Sequence, residues 1–328
     1  MYAAVVDQIG GTPQYREVAA PVAGDGEVVV AVEAVAVENV DRAIVAGTHF
    51  SAGPFAASLP AVPCFDGIGR LPDGTLVGFG GLTPPRGALA EYVVVPAGFT
   101  APVPEGIPAT TAAVLTTAIS AMSMRTAAGL QPGETVLIQG ATGVAGRLAV
   151  QIAKLLGAGR IVATGRDAAA LDSLRALGAD VLITTEGADD EVVDAYRAAR
   201  GDGFDVVLDY LWGRPTELLV RALVPDAFTF PSPTRLVQIG ESAGPGITLP
   251  ADAIRTSGLE LYGAARNLAA GMATAYGQVV DWIRSGALTV DVTPMPLSRI
   301  ADAWQRTDLR GSRLVIVPDR ITEGENRS

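Results

Sequence analysis

The chain has 328 residues, of which 49% are apolar and 5% aromatic, so it can bury a large core and is long enough for two domains. Its formal net charge of −11 argues against a nucleic-acid partner and against binding to an anionic membrane surface. A single Cys excludes an intrachain disulfide, and one Cys with one His excludes the usual Cys/His zinc sites.

The N-terminal residues do not have the pattern of an export signal. Residues 1–7 lack the basic start and the long apolar run of a signal peptide. The most membrane-like stretch, Ile107 to Met124, is rich in Ala and Thr and falls short of the ~20 apolar residues that a span needs. We therefore expect a soluble, cytoplasmic protein without a membrane partner.

The first 105 residues have the residue pattern of a β-rich unit. Short Val-rich runs begin at Glu27, Gly74 and Glu91, and Gly and Pro residues separate them. Apolar runs of this length between turn residues are typical of strands.

From about residue 108, apolar runs of strand length alternate with helix-like stretches. Strands are predicted to begin at Thr135, Arg160, Asp180, Asp205 and Arg235. Helices are predicted at 147–156 and 168–177, with Asp167 placed to cap the second one. Continuous apolar strands separated by helices favour a parallel sheet covered on both faces, which makes the fold class α/β.

The last 65 residues contain both strand-like and helix-like segments. A helix is predicted at 271–285, a second helix near Ile300 and a strand from Arg313, while the polar tail at 319–328 is expected to fray.

The strongest chemical signal is a glycine-rich turn at 140–146, between the first strand and first helix of the α/β region. Its glycines let the backbone turn tightly and approach a ligand, while the helix N-terminus offers free N–H groups to a diphosphate. The same spacing also occurs in purely structural turns, but here it follows a strand and opens a helix, which favours dinucleotide binding. The predicted cofactor-binding residues are Gly140, Ala141, Thr142, Gly143, Val144, Ala145 and Gly146.

The end of the second strand indicates which dinucleotide is bound. Sites specific for NAD usually carry Asp or Glu there, to bind the ribose 2′-hydroxyl. This chain has Gly165, which leaves room, and Arg166, whose guanidinium suits a 2′-phosphate. Asp167 is explained better as a helix cap, and the alternative for Arg166 is a solvated surface charge. We therefore expect Gly165 and Arg166 to bind NADPH.

Several segments carry a resemblance to a known family. They are residues 26–30, 36–41, 59–67, 87–96, 133–146, 177–180, 204–209, 285–288, 296–297 and 311–318. Together they resemble the medium-chain dehydrogenase/reductase superfamily, and within it the zinc-free quinone oxidoreductase-like branch.

The resemblance implies a fold, further cofactor contacts and an assembly. The fold is a GroES-like, β-rich catalytic domain from residues 1–118 and 263–328, with a Rossmann NAD(P)-binding domain at 119–262 inserted between them. Ser120, Gly240 and Ser242 are implied to face the cofactor, and the protein is implied to form a homodimer.

The resemblance also singles out two candidate catalytic residues, His49 and Glu38. His49 stands where related reductases often carry a Tyr lining the substrate pocket, and a His can donate a hydrogen bond or a proton near neutral pH. The alternative is a half-exposed loop histidine. Glu38 stands where quinone reductases commonly carry an Asn, and it either orients a ribose hydroxyl, relays a proton or holds the loop. Asp41 matches a buried structural acid, and Cys64 is expected to be a packed thiol.

These features predict a zinc-independent, NADPH-dependent oxidoreductase that acts on a small molecule, with no metal site. Hydride transfer to a simple ketone produces a very basic alkoxide, whereas quinones and α,β-unsaturated carbonyls produce delocalised anions that need less stabilisation. The alternatives are an enoyl-thioester reductase of secondary metabolism and a non-catalytic NADPH-binding protein.

Overall fold

The computed structural model describes residues 1–227 and 231–319, which form two compact units. One unit contains residues 1–114 together with the chain from Val290 onward, and the other contains residues 115–289. Beyond Asp319, the predicted frayed tail lies outside the described residues. Among the described residues, no helix is both long and apolar enough to cross a membrane.

Most of the regular elements in the first 114 residues are strands, as the Val-rich runs predict. The elements are β1 (Tyr2–Val5), β2 (Gln14–Glu17), β3 (Glu27–Ala36), α1 (Asn39–Ala46), α2 (Ala52–Ala57), β4 (Gly67–Arg70), β5 (Leu76–Phe79), β6 (Tyr92–Pro96), β7 (Thr100–Pro102) and α3 (Ala109–Ala112).

Residues 115–289 alternate between helices and strands. The elements are α4 (Leu115–Ala121), α5 (Ser123–Thr126), β8 (Thr135–Gln139), α6 (Val144–Leu155), β9 (Arg160–Gly165), α7 (Ala168–Asp172), β10 (Val181–Thr184), α8 (Asp189–Arg200), β11 (Val206–Asp209), α9 (Gly213–Leu223), β12 (Thr234–Gln238), α10 (Ala251–Thr256), β13 (Leu259–Gly263) and α11 (Leu268–Arg284).

The C-terminal segment returns to the first unit. Its elements are β14 (Val292–Pro296), α12 (Ile300–Trp304) and β15 (Arg313–Val317). β15 pairs antiparallel with β3, so Val315 lies opposite Ala36 and Ile316 opposite Val35. The resulting sheet has the order β14-β15-β3-β4-β5-β7, with β6 also paired to β3. The β-rich domain built from both chain ends is therefore confirmed.

The second unit is built on a fully parallel sheet. Its strand order is β10-β9-β8-β11-β12-β13, which is the doubly wound Rossmann order. The central strands are mostly apolar, as expected where helices cover both faces, and Val136, Leu137 and Ile138 of β8 are completely buried. The strand order reverses between β8 and β11, and ligands of such sheets bind outside the carboxyl ends of the strands at this point.

The unit boundaries differ from those expected. The compact units divide the chain at 114/115 and 289/290, whereas the sequence expectation placed the divisions at 118/119 and 262/263. β13 completes the parallel sheet, and α11 packs against α4 and α5. Gln151 also holds the end of this segment, because its side chain accepts a hydrogen bond from Thr289 N and donates one to Thr289 O, both 3.0 Å long.

Candidate functional site

The glycine-rich turn joins the end of β8 directly to the start of α6. Gly140 has a left-handed φ of +76°. A Cβ atom on Gly146 would lie 2.4 Å from the Gly140 carbonyl oxygen, so only glycine allows this approach of helix to strand. These two glycines are required by the fold itself.

Gly143 is different, because the fold does not require it to be glycine. Its φ of −75° and ψ of 168° suit any residue, and a Cβ atom there would meet nothing closer than Gly140 O at 3.7 Å. The residue is exposed at the N-cap of α6. An added side chain would occupy only the open space in front of the helix, which is where a ligand would approach.

The start of α6 has the properties of an anion site. No side chain caps this helix end, and its first backbone hydrogen bond runs from Arg147 N to Gly143 O at 2.9 Å. The N–H groups of Val144, Ala145 and Gly146 therefore belong to the first turn, where an α-helix supplies no internal acceptor. Together with the positive end of the helix dipole, they fit a diphosphate.

The end of β9 lies against this turn. Ala141 N donates to Thr164 O at 2.9 Å, and a Cβ atom on Gly165 would lie 2.7 Å from the Thr142 methyl group. Gly165 is therefore needed for packing, and the exposed Arg166 follows it immediately.

The carboxylate of Asp167 is occupied by the helix that it begins. Its Oδ1 accepts hydrogen bonds from Ala169 N at 2.9 Å and from Ala170 N at 3.0 Å. The predicted helix cap is confirmed, and the acidic residue beside Arg166 has a structural explanation.

The turn after β11, residues 209–212, brings together three of the cofactor-binding residues implied by the resemblance. The Tyr210 hydroxyl lies 3.4 Å from Ser120 Oγ. Ser242 Oγ donates to the Tyr210 carbonyl at 3.0 Å. A Cβ atom on Gly240 would lie 2.6 Å from the same carbonyl oxygen. Sequence reasoning missed Tyr210, although it follows the strand next to β8, where the strand order reverses.

The same turn contacts the glycine-rich turn through its next residue. A Cβ atom on Gly140 would lie 2.9 Å from the Leu211 side chain. The two turns at the carboxyl ends of β8 and β11 therefore pack together. Gly140 lies close to both Tyr210 and Leu211, whereas Ser120, Gly240 and Ser242 lie close to Tyr210.

A buried carboxylate holds this second turn in place. Asp209 Oδ1 accepts from Leu211 N and Trp212 N, both at 2.9 Å, and Oδ2 accepts from Thr216 Oγ1 at 2.5 Å. Burial raises the pKa of Asp209, while these hydrogen bonds oppose the increase. Trp212 adopts φ 55° and ψ −162°, a strained conformation that glycine tolerates best. The Asp209 carboxylate thus stabilises a turn conformation that a tryptophan at position 212 would not favour by itself.

In the first unit, Glu38 is tied to the start of α1 and to the C-terminal strand. Glu38 N donates to Asp41 Oδ2 at 2.8 Å, and Glu38 Oε1 lies 3.7 Å from Arg313 Nη2. The side chains of Glu38 and Arg313 are 30% and 11% exposed, so much of this ion pair is shielded from water. The contacts agree with the alternative in which Glu38 holds its loop.

Asp41 and Cys64 form the buried part of this cluster. Burial raises the pKa of Asp41 to about 7, and the charge of Glu38 adds to the increase, while hydrogen bonds from Glu38 N and Cys64 oppose it. Cys64 is buried and has a left-handed φ of 66°. Burial raises the pKa of its thiol well above 9.0, as expected for a packed thiol that does not act as a nucleophile.

His49 lies beyond the opposite end of α1 from Glu38. Its Nδ1 is 2.7 Å from Ser51 Oγ and 3.3 Å from Ser51 N. A backbone N–H can only donate, so Nδ1 is the acceptor and the neutral ring carries its proton on Nε2. The structure therefore does not bring His49 and Glu38 together, because α1, about 12 Å long, separates them.

Zinc does not fit the residues present. In residues 1–227 and 231–319, no three His, Cys, Asp or Glu side chains are grouped so that they could hold a metal ion. The only histidine and the only cysteine of the chain are engaged elsewhere, His49 with Ser51 and Cys64 with Asp41. The absence of a zinc requirement stays a prediction.

Comparison with known proteins gives partial matches in sequence and a nearly complete match in structure. Residues 145–229 match the family model described as zinc-binding dehydrogenase. The chain is 41% identical over 99 residues to the mycoketide-CoA synthase of Mycobacterium tuberculosis, covering 30% of this chain and 2% of the synthase. It is 33% identical over 150 residues to the 2-methylene-furan-3-one reductase of Solanum lycopersicum, covering 44% of this chain and 38% of the reductase. The matches thus span less than two thirds of these relatives.

The quinone oxidoreductase of Thermus thermophilus, solved alone and with NADPH, matches across its whole length. The TM-score is 0.76 and the identity 27%, over 97% of this chain and 100% of that one. Together these matches support the medium-chain dehydrogenase/reductase superfamily and, within it, the quinone oxidoreductase-like branch. The two candidate catalytic residues, Glu38 and His49, both lie in the β-rich unit.

The raised pKa of Asp41 makes a prediction about stability. Its pKa is about 7 in the folded chain against 3.8 ordinarily, so between these values the folded state binds more protons than the unfolded state. Stability contributed by this group is therefore lost as the pH rises through this window. We compare the free energy of unfolding of Asp41→Asn with that of the wild type, measured with a denaturant at pH 5 and at pH 8. The difference should shift in favour of the variant by roughly 1–3 kcal/mol between the two pH values.

The matched control for this prediction is Asp73→Asn. Hydrogen bonds from Thr75 lower the pKa of this fully exposed aspartate, so it does not titrate between pH 5 and pH 8. A difference between Asp41→Asn and the wild type that is the same at both pH values would contradict the assignment.

Proposed function

We propose that the protein is a zinc-independent, NADPH-dependent oxidoreductase that transfers hydride to a quinone or an α,β-unsaturated carbonyl compound. The observation that carries the proposal is the open start of α6. The fold would accept a side chain at position 143, but the glycine there leaves the space in front of the helix free for a ligand. The quinone oxidoreductase and 2-methylene-furan-3-one reductase relatives support this acceptor class, since the name of the second describes a conjugated ketone.

Different residues of the second unit would bind different parts of the cofactor. The diphosphate would lie against the N–H groups at 144–146, and the guanidinium of Arg166 would pair with the 2′-phosphate at the end of β9. Ser120, Gly240 and Ser242 would line the nicotinamide half. When bound, NADPH supplies the hydride.

The acceptor class follows from the charge that the site must stabilise. An alkoxide formed from a simple ketone approaches the basicity of hydroxide. A reduced quinone oxygen is much less basic, because it resembles a phenolate, whose conjugate acid has a pKa of about 10 in tyrosine. Delocalised anions need only hydrogen-bond donors, and the Nε2–H of His49 is such a donor. Glu38, paired with Arg313, would keep its loop in place.

A second candidate is an enoyl-thioester reductase. The match to mycoketide-CoA synthase favours it, because the name of that enzyme describes a thioester product. The net charge of −11 weighs against docking of a phosphorylated carrier arm. A third candidate, an NADPH-binding protein without turnover, remains compatible with the unusual Glu38 and with the single histidine.

Homodimer formation stays a prediction from the family resemblance. β13 forms one edge of the parallel sheet, and its Leu261 side chain is 41% exposed. An edge strand with exposed apolar residues can pair with a second copy of itself. The molar mass in solution, measured by light scattering, tests this expectation.

The proposed activity is tested with a panel of acceptors. NADPH oxidation is followed with a benzoquinone, an enone, an enoyl-coenzyme A thioester and an aliphatic ketone, each with and without a metal chelator. We expect turnover of the quinone or the enone, unaffected by the chelator. Faster turnover of the thioester would favour the second candidate, and ketone reduction lost with the chelator would contradict zinc independence. NADPH binding without turnover would favour the third candidate.

The role of Arg166 predicts a selective loss of affinity. Arg166→Ala should weaken NADPH binding 10- to 100-fold, because a charge-assisted hydrogen bond contributes about 1.5–3 kcal/mol, and should change NADH binding less than about twofold. Arg175→Ala is the matched control, since this exposed arginine follows α7 and pairs with Asp172 at 3.3 Å. An equal loss for both cofactors would remove Arg166 from this role.

A further inference from the structure

The hydrogen bonds around Ser120 fix the direction in which its hydroxyl points. Ser120 Oγ lies 2.7 Å from the Thr117 carbonyl oxygen, which can only accept. A serine hydroxyl carries one hydrogen, and this contact uses it. Ser120 can therefore act only as an acceptor toward any other group.

Tyr210 is the second group in contact with this oxygen. Its hydroxyl lies 3.4 Å from Ser120 Oγ, and since the serine hydrogen is already used, the tyrosine is the donor. Burial raises the pKa of Tyr210, so it keeps its proton across the physiological range. With one lone pair accepting from Tyr210, Ser120 has one acceptor position left.

The position of Tyr210 is itself fixed by the protein. Its carbonyl accepts from Ser242 Oγ at 3.0 Å and lies in close contact with Gly240. The following two residues donate their N–H groups to the buried carboxylate of Asp209. These contacts fix the backbone of the turn from which the Tyr210 side chain extends toward Ser120.

We propose that Tyr210 is a positioning residue that holds Ser120 as a hydrogen-bond acceptor for the amide N–H of a carboxamide group. This inference rests on the proposed nicotinamide cofactor, whose ring carries such a group. It adds a polarity to the site: Ser120 recognises the amide nitrogen and not the amide oxygen. A ligand that keeps the carbonyl but lacks the N–H loses this contact.

The test compares two ligands that differ only at this group. NADP⁺ carries the carboxamide, and its 3-acetylpyridine analogue replaces the amide NH₂ with a methyl group. We expect the wild type to bind NADP⁺ about 3- to 10-fold more tightly than the analogue, by calorimetric titration. Tyr210→Phe should reduce this ratio at least twofold, Ser120→Ala should bring it close to one, and the double variant should match Ser120→Ala.

Three further measurements separate the possible outcomes. Binding of 2′,5′-ADP, which lacks the nicotinamide, should be the same in all variants, because a general loss of structure would weaken it too. Tyr276→Phe, on α11, is the control and should keep the wild-type ratio. An unchanged ratio in Tyr210→Phe, or equal binding of both dinucleotides by the wild type, would overturn this inference and leave the proposed function intact. A wild type that binds neither dinucleotide nor 2′,5′-ADP would overturn both.

Discussion

The contact between Gly146 and the Gly140 carbonyl is the constraint on which the second unit depends. With any side chain at 146, a Cβ atom would lie 2.4 Å from that oxygen, and α6 could not begin against the end of β8. Because it does begin there, its first N–H groups face the carboxyl edge of the sheet at the point where the strand order reverses. The packing requirement and the candidate anion site therefore share one cause.

The second turn, at 209–212, depends on the first. Leu211 packs against Gly140, and Asp209 holds the strained Trp212 through a backbone hydrogen bond. A buried carboxylate and a residue in a conformation suited to glycine both cost stability, so their presence at the edge of the candidate cofactor site favours a functional explanation. In our account, the result of this arrangement is a fixed Tyr210 and, through it, a Ser120 of defined polarity.

Much of the candidate cofactor site could be predicted from the sequence because its signals are local. The glycine spacing after a strand, the cap at Asp167 and the arginine beside it are all read within a few residues. The turn at 210–211 was missed because its importance comes from the pairing of β11 with β8, strands about 70 residues apart in the chain. The Glu38–Arg313 pair was missed for the same reason, since it depends on the register of β15 against β3. The boundary near 289 depends on α11 packing against α4, which the Ala-rich sequence of this helix does not reveal.

The measurement that tests the account most directly is the binding of NADPH to Gly143→Ala, with the thermal midpoint of unfolding recorded alongside. The backbone at 143 suits alanine and the added methyl group has room, so folding should be unaffected. If the diphosphate lies against the start of α6, the methyl group occupies its space, and the dissociation constant should rise at least about tenfold, or about 1.4 kcal/mol. An unchanged affinity for NADPH in a normally folded variant would show that the turn is structural and that the cofactor, if bound, lies elsewhere.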